Sequence, residues 1–246
     1  MPRFFIEVAY KGTRYSGFQV QQNASTIQAE MEKAFGVLHR QSVELTGSSR
    51  TDAGVHAFQN YFHFDYEGAL NPQFTYKMNA ILPKDVVVRN IHLMHPEAHS
   101  RFDAVSREYI YKIHRFKNPF LQDTSFFYPY KVHLDVMNKA ATFIKHQSNF
   151  FAFSKTNTQV KNFNCTIEAI EWNLQDEELI FTIRANRFLR GMVRLLTATL
   201  LKIGRGQLAV ENLGDYFNNQ KKAGYSVPAH GLFLKTVNYP KNYFLH

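Results

Sequence analysis

Strand-like and helix-like patterns of apolar residues alternate along the chain, and this alternation most constrains its fold. Apolar residues recur at every second position from Phe4 to Tyr10, which is typical of a strand with one face in the core. From Ile27 to Leu38 they recur at three- and four-residue spacing, and Ser25 with Gln28 predicts a capping box before this helix. Such a chain is expected to be α+β with mainly antiparallel sheets.

Both halves of the chain repeat this order, although no repeat is detectable residue by residue. Further strands are predicted at 43–46, 60–64, 86–93, 107–114, 166–174 and 179–185. Further helices are predicted within 72–83, over 136–145 and over 187–203. The character of the sequence changes at 95–105, so we place a domain boundary there. Residues 1–103 then form an N-terminal α+β domain and residues 104–246 a C-terminal α+β domain.

The charge balance points to a polyanionic partner. Lys and Arg number 29 against 20 Asp and Glu, which gives a net charge of +9. The single cysteine, Cys165, has no partner for an internal disulfide, and Glu7 interrupts what would have to be the apolar run of a signal peptide. No apolar stretch reaches the roughly 18 residues of a membrane span. These features predict a cytoplasmic protein with no membrane insertion.

The segment Gly47–Ala57 has the highest density of chemically active side chains. Arg50, Asp52 and His56 stand among small residues between two predicted strands, and catalytic side chains often lie on loops that a sheet holds. Gly54 permits a positive φ at this turn. By itself the pattern also fits an ordinary turn, in which Asp52 caps a backbone amide and Arg50 is its surface ion-pair partner.

The longer run from Ser49 to His56 resembles the G-R-T-D-A-G-V-H motif of the TruA-type tRNA pseudouridine synthases. Further motifs of that family follow in order along nearly the whole chain. They resemble its Y-x-G-x-x-Y-x-G-W-Q-x-Q at 10–21, V-Q at 27–28, H-A-R-F-S-A at 99–104, R-x-Y-x-Y at 107–111, N-x-F-x-x-x-M-V-R at 186–194 and P-A-x-G-L at 228–232. The chain departs from the family pattern at Phe18, Ser49, Cys165 and Arg190.

The resemblance implies a pseudouridine synthase fold, with two similar halves and the active cleft between them. It implies isomerisation of uridine to pseudouridine at positions 38, 39 and 40 in the anticodon stem-loop of tRNA, by a homodimer. In this family the aspartate of the motif, here Asp52, is the catalytic nucleophile. The reaction involves no net oxidation, hydrolysis or phosphoryl transfer, so we expect no cofactor and no metal. The sequence has neither a phosphate-binding glycine loop nor a cysteine cluster.

Five further residues, four arginines and one tyrosine, complete the predicted site. A carboxylate in a dry pocket stays ionised only beside a cation, and Arg50 and Arg194 are the candidates. On the predicted helix over 187–203, Arg187, Arg190 and Arg194 form one basic stripe. We expect Arg194 to point at Asp52, and Arg187 and Arg190 to meet RNA phosphates. Tyr109 is expected to stack on the uracil or to assist its proton transfer.

Two other functions fit parts of the sequence. An RNA-binding protein without turnover would have the same basic and aromatic composition. A metal-dependent hydrolase could draw ligands from His92, His95 and His99, although Pro96 breaks any helix that would align them. For His56, a role in stabilising the loop is favoured over a role as general base.

Overall fold

Nine strands and five α-helices occur in the residues that the structure, a computed structural model, describes: 1–156, 160–218 and 221–244. The strands are β1 (Arg3–Tyr10), β2 (Thr46–Gly47), β3 (His56–Asp65), β4 (Val86–Met94), β5 (Ser106–His114), β6 (Phe126–Phe127), β7 (Ile167–Gln175), β8 (Glu178–Ala185) and β9 (Leu232–Asn238). The helices are α1 (Ile27–His39), α2 (Phe74–Ile81), α3 (Leu134–Lys145), α4 (Met192–Gly204) and α5 (Leu213–Asn218). The predicted α+β class with a mostly antiparallel sheet is confirmed.

The described residues divide into two compact units. The first comprises Met1–Val105 together with the C-terminal segment from Leu234 onward, and the second comprises Ser106–Phe233. The division at Val105 lies two residues from the predicted boundary at 103. The C-terminal segment, which the prediction assigned to the second domain, belongs to the first unit instead. Strand β9 contributes its first two residues to the second unit and the rest to the first.

In the first unit the strand order is β4-β1-β3-β9, with β2 paired to β3. Helix α1 covers one face of this sheet, where the Phe35 ring lies 5.3 Å from Phe64 of β3 and 6.1 Å from Phe74 of α2. The N-cap residue of α1 is Thr26, whose side chain accepts a hydrogen bond from Ala29 N. The predicted capping box at Ser25 is therefore wrong by one residue.

The C-terminal segment covers the opposite face of the same sheet. The ring of Phe5 in β1 lies 5.8 Å from Tyr239 and 6.0 Å from Tyr243. Phe5 and Ile6 are both fully buried, so β1 is enclosed on two faces rather than on the single face that its alternating pattern predicts. The alternating pattern of β1 is a local property, so it does not predict burial by residues that are far away in the sequence.

In the second unit the strand order is β9-β5-β8-β7. The fully buried Trp172 of β7 stacks on Phe181 of β8 at 4.9 Å between ring centroids. Asn138 of α3 fixes the helix to the edge strand β7, because its amide donates to Trp172 O and accepts from Trp172 N. An asparagine side chain thus replaces the next strand of the ladder.

Helix α4 differs from its prediction in both start and environment. It begins at Met192, because Gly191 has a φ of +76° and ends the preceding turn. Arg187 and Arg190 therefore lie before the helix, and the predicted basic stripe of three arginines on one helix is wrong. Almost every side chain of α4 is buried, and Arg194 and Lys202 are its only charged residues.

Strand β9 was not predicted, and the predicted strand over 43–46 is reduced to the two residues of β2. The other predicted strands and helices are observed, with ends that differ by a few residues. In the part of the chain that the structure describes, none of the helices has the length and apolar character that crossing a membrane requires.

A histidine on the second face of the first sheet is held in its neutral form. The pKa of His63 is lowered to about 4, mainly by burial and further by the nearby His99 and Arg3. Its Nδ1 lies 2.8 Å from Ser100 Oγ, and this hydroxyl donates to Thr46 O. Burial favours the neutral imidazole, because the protonated, charged ring is costly to remove from water.

This burial predicts acid sensitivity. The unfolded chain protonates His63 near pH 6.5 and the folded chain near pH 4, so its stabilising contribution is complete above pH 6.5 and is lost as the pH falls to 4. The loss should be on the order of 2–3 kcal/mol. Urea unfolding at pH 4 to 8 should show a smaller pH dependence in His63→Gln than in wild type. His95→Gln, at an exposed position, is the control, and an unchanged slope in His63→Gln would contradict the prediction.

Candidate active site

The loop that carries Asp52 connects β2 to β3 in the first unit. Its turn is closed by the hydrogen bond from Val55 N to Asp52 O at 3.2 Å, and Gly54 adopts a φ of +77°. Asp52 is partly buried, whereas Arg50 is exposed. The loop therefore holds its carboxylate at the boundary between protein interior and solvent.

A second glycine-containing segment, residues 11–18, lies directly against this loop. Phe18 N donates to Thr51 O at 3.1 Å, and Gly54 N donates to Tyr15 O at 3.3 Å. A Cβ added at Gly12 would overlap the carbonyl oxygen of Val55. The two segments contact each other backbone to backbone, which explains why the first needs glycines and why Asp52 has little freedom to shift.

His56 supports the same contact. Its Nδ1 accepts a hydrogen bond from Gly12 N at 3.0 Å, and the side chain is buried. An accepting Nδ1 places the ring proton on Nε2. The prediction that His56 stabilises the loop is confirmed by this bond.

A buried asparagine, Asn60 of β3, anchors the loop from below. Its Nδ2 donates to Ser49 O at 3.0 Å and to Tyr10 Oη at 3.1 Å. Its Oδ1 accepts from Ser48 Oγ at 2.7 Å. Tyr10 Oη in turn lies 2.8 Å from Thr51 Oγ1. The fully buried amide of Asn60 thus bonds directly to Ser48 and Ser49, and it is linked to Thr51 through the hydroxyl of Tyr10.

Sequence reasoning missed Asn60. The available signal was a short amide side chain in the middle of a strand whose other buried members are mostly aromatic or apolar. Such a residue is costly to bury unless its donors and acceptors are satisfied, so its presence indicates a local polar network.

Two departures from the family pattern fit this environment. Phe18 stacks on Phe62 with ring centroids 4.6 Å apart and an angle of 14°, and it fills the space beside Gly47. Ser49 places a buried hydroxyl in the loop, and this hydroxyl has no hydrogen-bond partner among the described residues. Both changes affect the base of the loop rather than the carboxylate.

The remaining predicted site residues lie in the second unit. Tyr109 is partly exposed on β5, and its ring meets Phe188 edge to face at 5.0 Å. Phe188 follows Arg187, so the segment before α4 fixes the tyrosine ring. Tyr111, two residues along the strand, is fully buried and donates to Pro228 O at 2.8 Å. Burial raises the pKa of Tyr111 and keeps its hydroxyl protonated.

Arg194 is fixed by the main chain. Its Nε donates to Val227 O at 2.7 Å, and Val227 N donates back to Arg194 O at 3.4 Å. Lys222 attaches the same segment to the turn at 151–154, because its ammonium donates to Phe151 O, Ser154 O and Ser154 Oγ. The guanidinium of Arg194 is therefore oriented by a segment that has its own anchor.

The two predicted phosphate contacts occupy the turn before α4. Arg190 is exposed and Arg187 is partly exposed, and Arg190 O accepts a hydrogen bond from Lys155 N at 2.9 Å. Arg187 lies close enough to the buried Cys165 to lower the pKa of its thiol, but burial dominates and raises that pKa to about 11. Cys165 is thus a protonated thiol at neutral pH.

The histidines of the hydrolase alternative do not converge. His92 lies against Phe244, and His99 contacts His63 and Phe102. Among the described residues no group of three or more His, Cys, Asp or Glu side chains is arranged to hold a metal ion. His92 and His99 therefore make separate packing contacts, and His95 is exposed.

Comparison with known proteins gives matches along the whole chain. A family model described as tRNA pseudouridine synthase matches residues 6–103 and 147–240, which include Asp52 and Arg194 but not Tyr109. A tRNA pseudouridine synthase A of Parabacteroides distasonis is 41% identical over 248 residues, covering 99% of this chain and 98% of its own. The protein of the same name in Bacteroides fragilis is 43% identical over 251 residues, covering 98% of both chains.

The anchoring role of Asn60 predicts a loss of stability on truncation. Asn60→Ala removes the buried partner of Ser48 Oγ and of Ser49 O and one of the two hydrogen bonds of Tyr10 Oη, which should lower the free energy of unfolding by about 2–4 kcal/mol. Urea unfolding measures this change. Asn90→Ala, at an exposed position of β4 in the same sheet, should change it by less than about 0.5 kcal/mol. Equal losses in both variants would contradict the anchoring role.

Proposed function

The chain belongs to the tRNA pseudouridine synthase family, and from this premise we propose how its residues carry out the reaction. It is an enzyme that isomerises uridine to pseudouridine in tRNA. We further propose that the modified uridines are those at positions 38, 39 and 40 of the anticodon stem-loop, that Asp52 is the nucleophile and that no cofactor takes part.

The assignment of Asp52 rests on the contacts that hold its loop in place. Backbone contacts with residues 11–18 and hydrogen bonds from Asn60 hold the loop from two sides. A carboxylate accelerates an addition only if it is held in reach of the reacting carbon, because orientation supplies much of the effect. A surface turn with an ordinary ion pair would not need a fully buried network beneath it.

The reaction breaks the N1–C1′ glycosidic bond, turns the uracil and forms a C5–C1′ bond. The hydrogen on C5 leaves as a proton and N1 gains a proton, so the product has the composition of the substrate. Asp52 either adds to C1′ of the ribose or adds to C6 of the base, and both routes keep this balance. In each route the carboxylate must be ionised at the start.

Arg194 and Arg50 are proposed to keep Asp52 ionised. The Nε of Arg194 is committed to Val227 O, so contact with the carboxylate falls to its terminal nitrogens. A guanidinium beside a carboxylate favours the ionised form. Arg50, exposed on the same loop, is proposed to meet the substrate.

Tyr109 is proposed to bind the extruded uracil. One edge of its ring is fixed by Phe188, and the side chain keeps partial exposure for a ligand. Aromatic faces bind unstacked bases, and the hydroxyl is a donor and acceptor for the proton that leaves C5. Extrusion of the base costs a few kcal/mol, which phosphate contacts of Arg187 and Arg190 are proposed to offset.

The proposed assembly is a cytoplasmic homodimer. The family resemblance and the tRNA substrate support this assembly. Release of tritium from C5-labelled tRNA measures the isomerase activity, which a protein that only binds RNA would not give. Release that exceeds the enzyme concentration establishes turnover.

The nucleophile assignment predicts a specific loss. Asp52→Ala should abolish tritium release while tRNA affinity stays within about tenfold of wild type, because the carboxylate acts in chemistry. Glu44→Gln, an exposed acidic position in the same unit, should retain wild-type activity. Residual turnover above one hundredth of wild type in Asp52→Ala would refute the assignment.

The phosphate assignment predicts a steep dependence on salt. The logarithm of the tRNA association constant should fall linearly with the logarithm of salt concentration, and Arg187→Gln and Arg190→Gln should each lower the slope by about one. Filter binding at several salt concentrations measures the slopes. Lys139→Gln, exposed on α3, is the matched control and should leave the slope unchanged. Wild-type slopes in both arginine variants would remove these residues from the phosphate contacts.

A further inference from the structure

An exposed aromatic and basic surface lies in the second unit, outside the residues assigned above. Tyr130 is 49% exposed and Tyr225 is 53% exposed. Together with Tyr128 and Arg205 they form what we call the tyrosine–arginine surface. Both rings keep about half of their surface open to solvent, so a ligand can reach them.

The rings of this surface are ordered around one guanidinium. Arg205 follows the last residue of α4, and its Cζ lies 3.8 Å from the ring centroid of Tyr130. Tyr128 packs edge to face against Tyr130 at 5.1 Å between ring centroids. Burial raises the pKa of Tyr128, and the nearby Arg205 partly offsets this rise. The guanidinium is thus held flat against an aromatic ring, as in binding sites for planar ligands.

The three segments that build the surface contain no acidic residue. Residues 126–133, 194–210 and 221–232 include neither Asp nor Glu. They carry the basic residues Lys131, Arg194, Lys202, Arg205, Lys221 and Lys222. These segments therefore carry a net positive charge, and a polyanion is the ligand that complements it.

The surface adjoins the segment that positions Arg194. Burial is the main cause of the raised pKa of Tyr128 and of Tyr111, and the nearby Tyr225 contributes to both shifts. Two residues after Tyr225, Val227 O accepts the hydrogen bond from Arg194 Nε. A ligand on Tyr225 and Tyr130 would therefore lie next to the arginine that we assign to the reaction.

We propose that the tyrosine–arginine surface is a binding site for unpaired nucleotides of the tRNA substrate. Bases stack on Tyr130 and Tyr225, and Arg205 contacts the backbone phosphate between them. The proposal rests on the proposed function in that the ligand is the same tRNA. It extends the binding site beyond the reacting uridine to its single-stranded neighbours.

The physical chemistry favours RNA over a protein partner. Aromatic rings beside a cation bind any base, and each stacked base contributes about 1–3 kcal/mol, which is roughly 5- to 150-fold in affinity. A stable protein interface needs an apolar core, whereas the tyrosine rings of this surface stand among basic residues. A second copy of this basic chain would bring like charges together.

Affinity measurements on Tyr130 and Arg205 variants test the proposal. Tyr130→Leu and Arg205→Gln should each raise the Kd for unmodified tRNA about 5- to 30-fold in filter binding. Tyr130→Phe keeps the ring and should bind within twofold of wild type. Single-turnover tritium release at saturating enzyme should be unchanged in all three variants, because the surface binds and does not react. Tyr225→Leu serves as the second stacking variant if Tyr130→Leu fails to fold.

Two control variants separate the surface from general composition. Phe120→Leu removes a ring that is 91% exposed in the same unit, and Arg89→Gln removes one exposed positive charge in the first unit. Both should bind tRNA within twofold of wild type. Wild-type affinity in Tyr130→Leu and Arg205→Gln, or losses equal to those of the controls, would overturn the proposal.

Two further outcomes are informative. If Tyr130→Leu changes the oligomeric state in light scattering while tRNA affinity per subunit is retained, the surface is a protein interface and the proposal is wrong. Binding is measured separately from turnover, so an active Asp52→Ala would refute the nucleophile and leave this test intact. Conversely, if Asp52→Ala abolishes turnover as expected but the surface variants bind tRNA with wild-type affinity, only the proposal for the tyrosine–arginine surface is refuted.

Discussion

The buried amide of Asn60 is the interaction on which the candidate site depends. A fully buried polar side chain is unfavourable unless all of its hydrogen bonds are made, so the network with Tyr10, Ser48 and Ser49 is stable in one geometry only. That geometry fixes the backbone on which Asp52 stands. The loop needs no metal or disulfide for its shape, because its main chain is held by hydrogen bonds from one strand below and one segment beside it.

The second unit uses main-chain contacts for the same purpose. Arg194 is oriented by Val227 O, and Tyr111 secures the adjacent Pro228 O. Lys222 holds the start of this segment through three acceptors and lies 3.8 Å from the Phe151 ring. In both units, backbone hydrogen bonds position the segment that carries the charged side chain proposed for the chemistry.

The C-terminal segment gives the first unit its second covered face. On this face Phe5 packs against the rings of Tyr239 and Tyr243, and Tyr61 packs against Tyr239. The hydroxyl of Tyr243 bonds to Asp103, and Val105 N bonds to Asn238 O. The C-terminal segment up to Phe244 thereby stabilises the first strand.

The sequence by itself determined the type of most elements, because apolar periodicity is a local property that one strand or helix shows on its own. It also determined the family, since ordered motifs from residue 10 to residue 232 carry that information, and it placed Asp52 on a loop after a strand. Tertiary structure alone decided that Asn60 anchors the loop, that α4 begins after Gly191 and leaves Arg187 and Arg190 outside, and that the C-terminal segment joins the first unit. These outcomes depend on contacts between residues far apart in the chain, and the energy of a buried polar or aromatic contact exists only once both partners have been brought together.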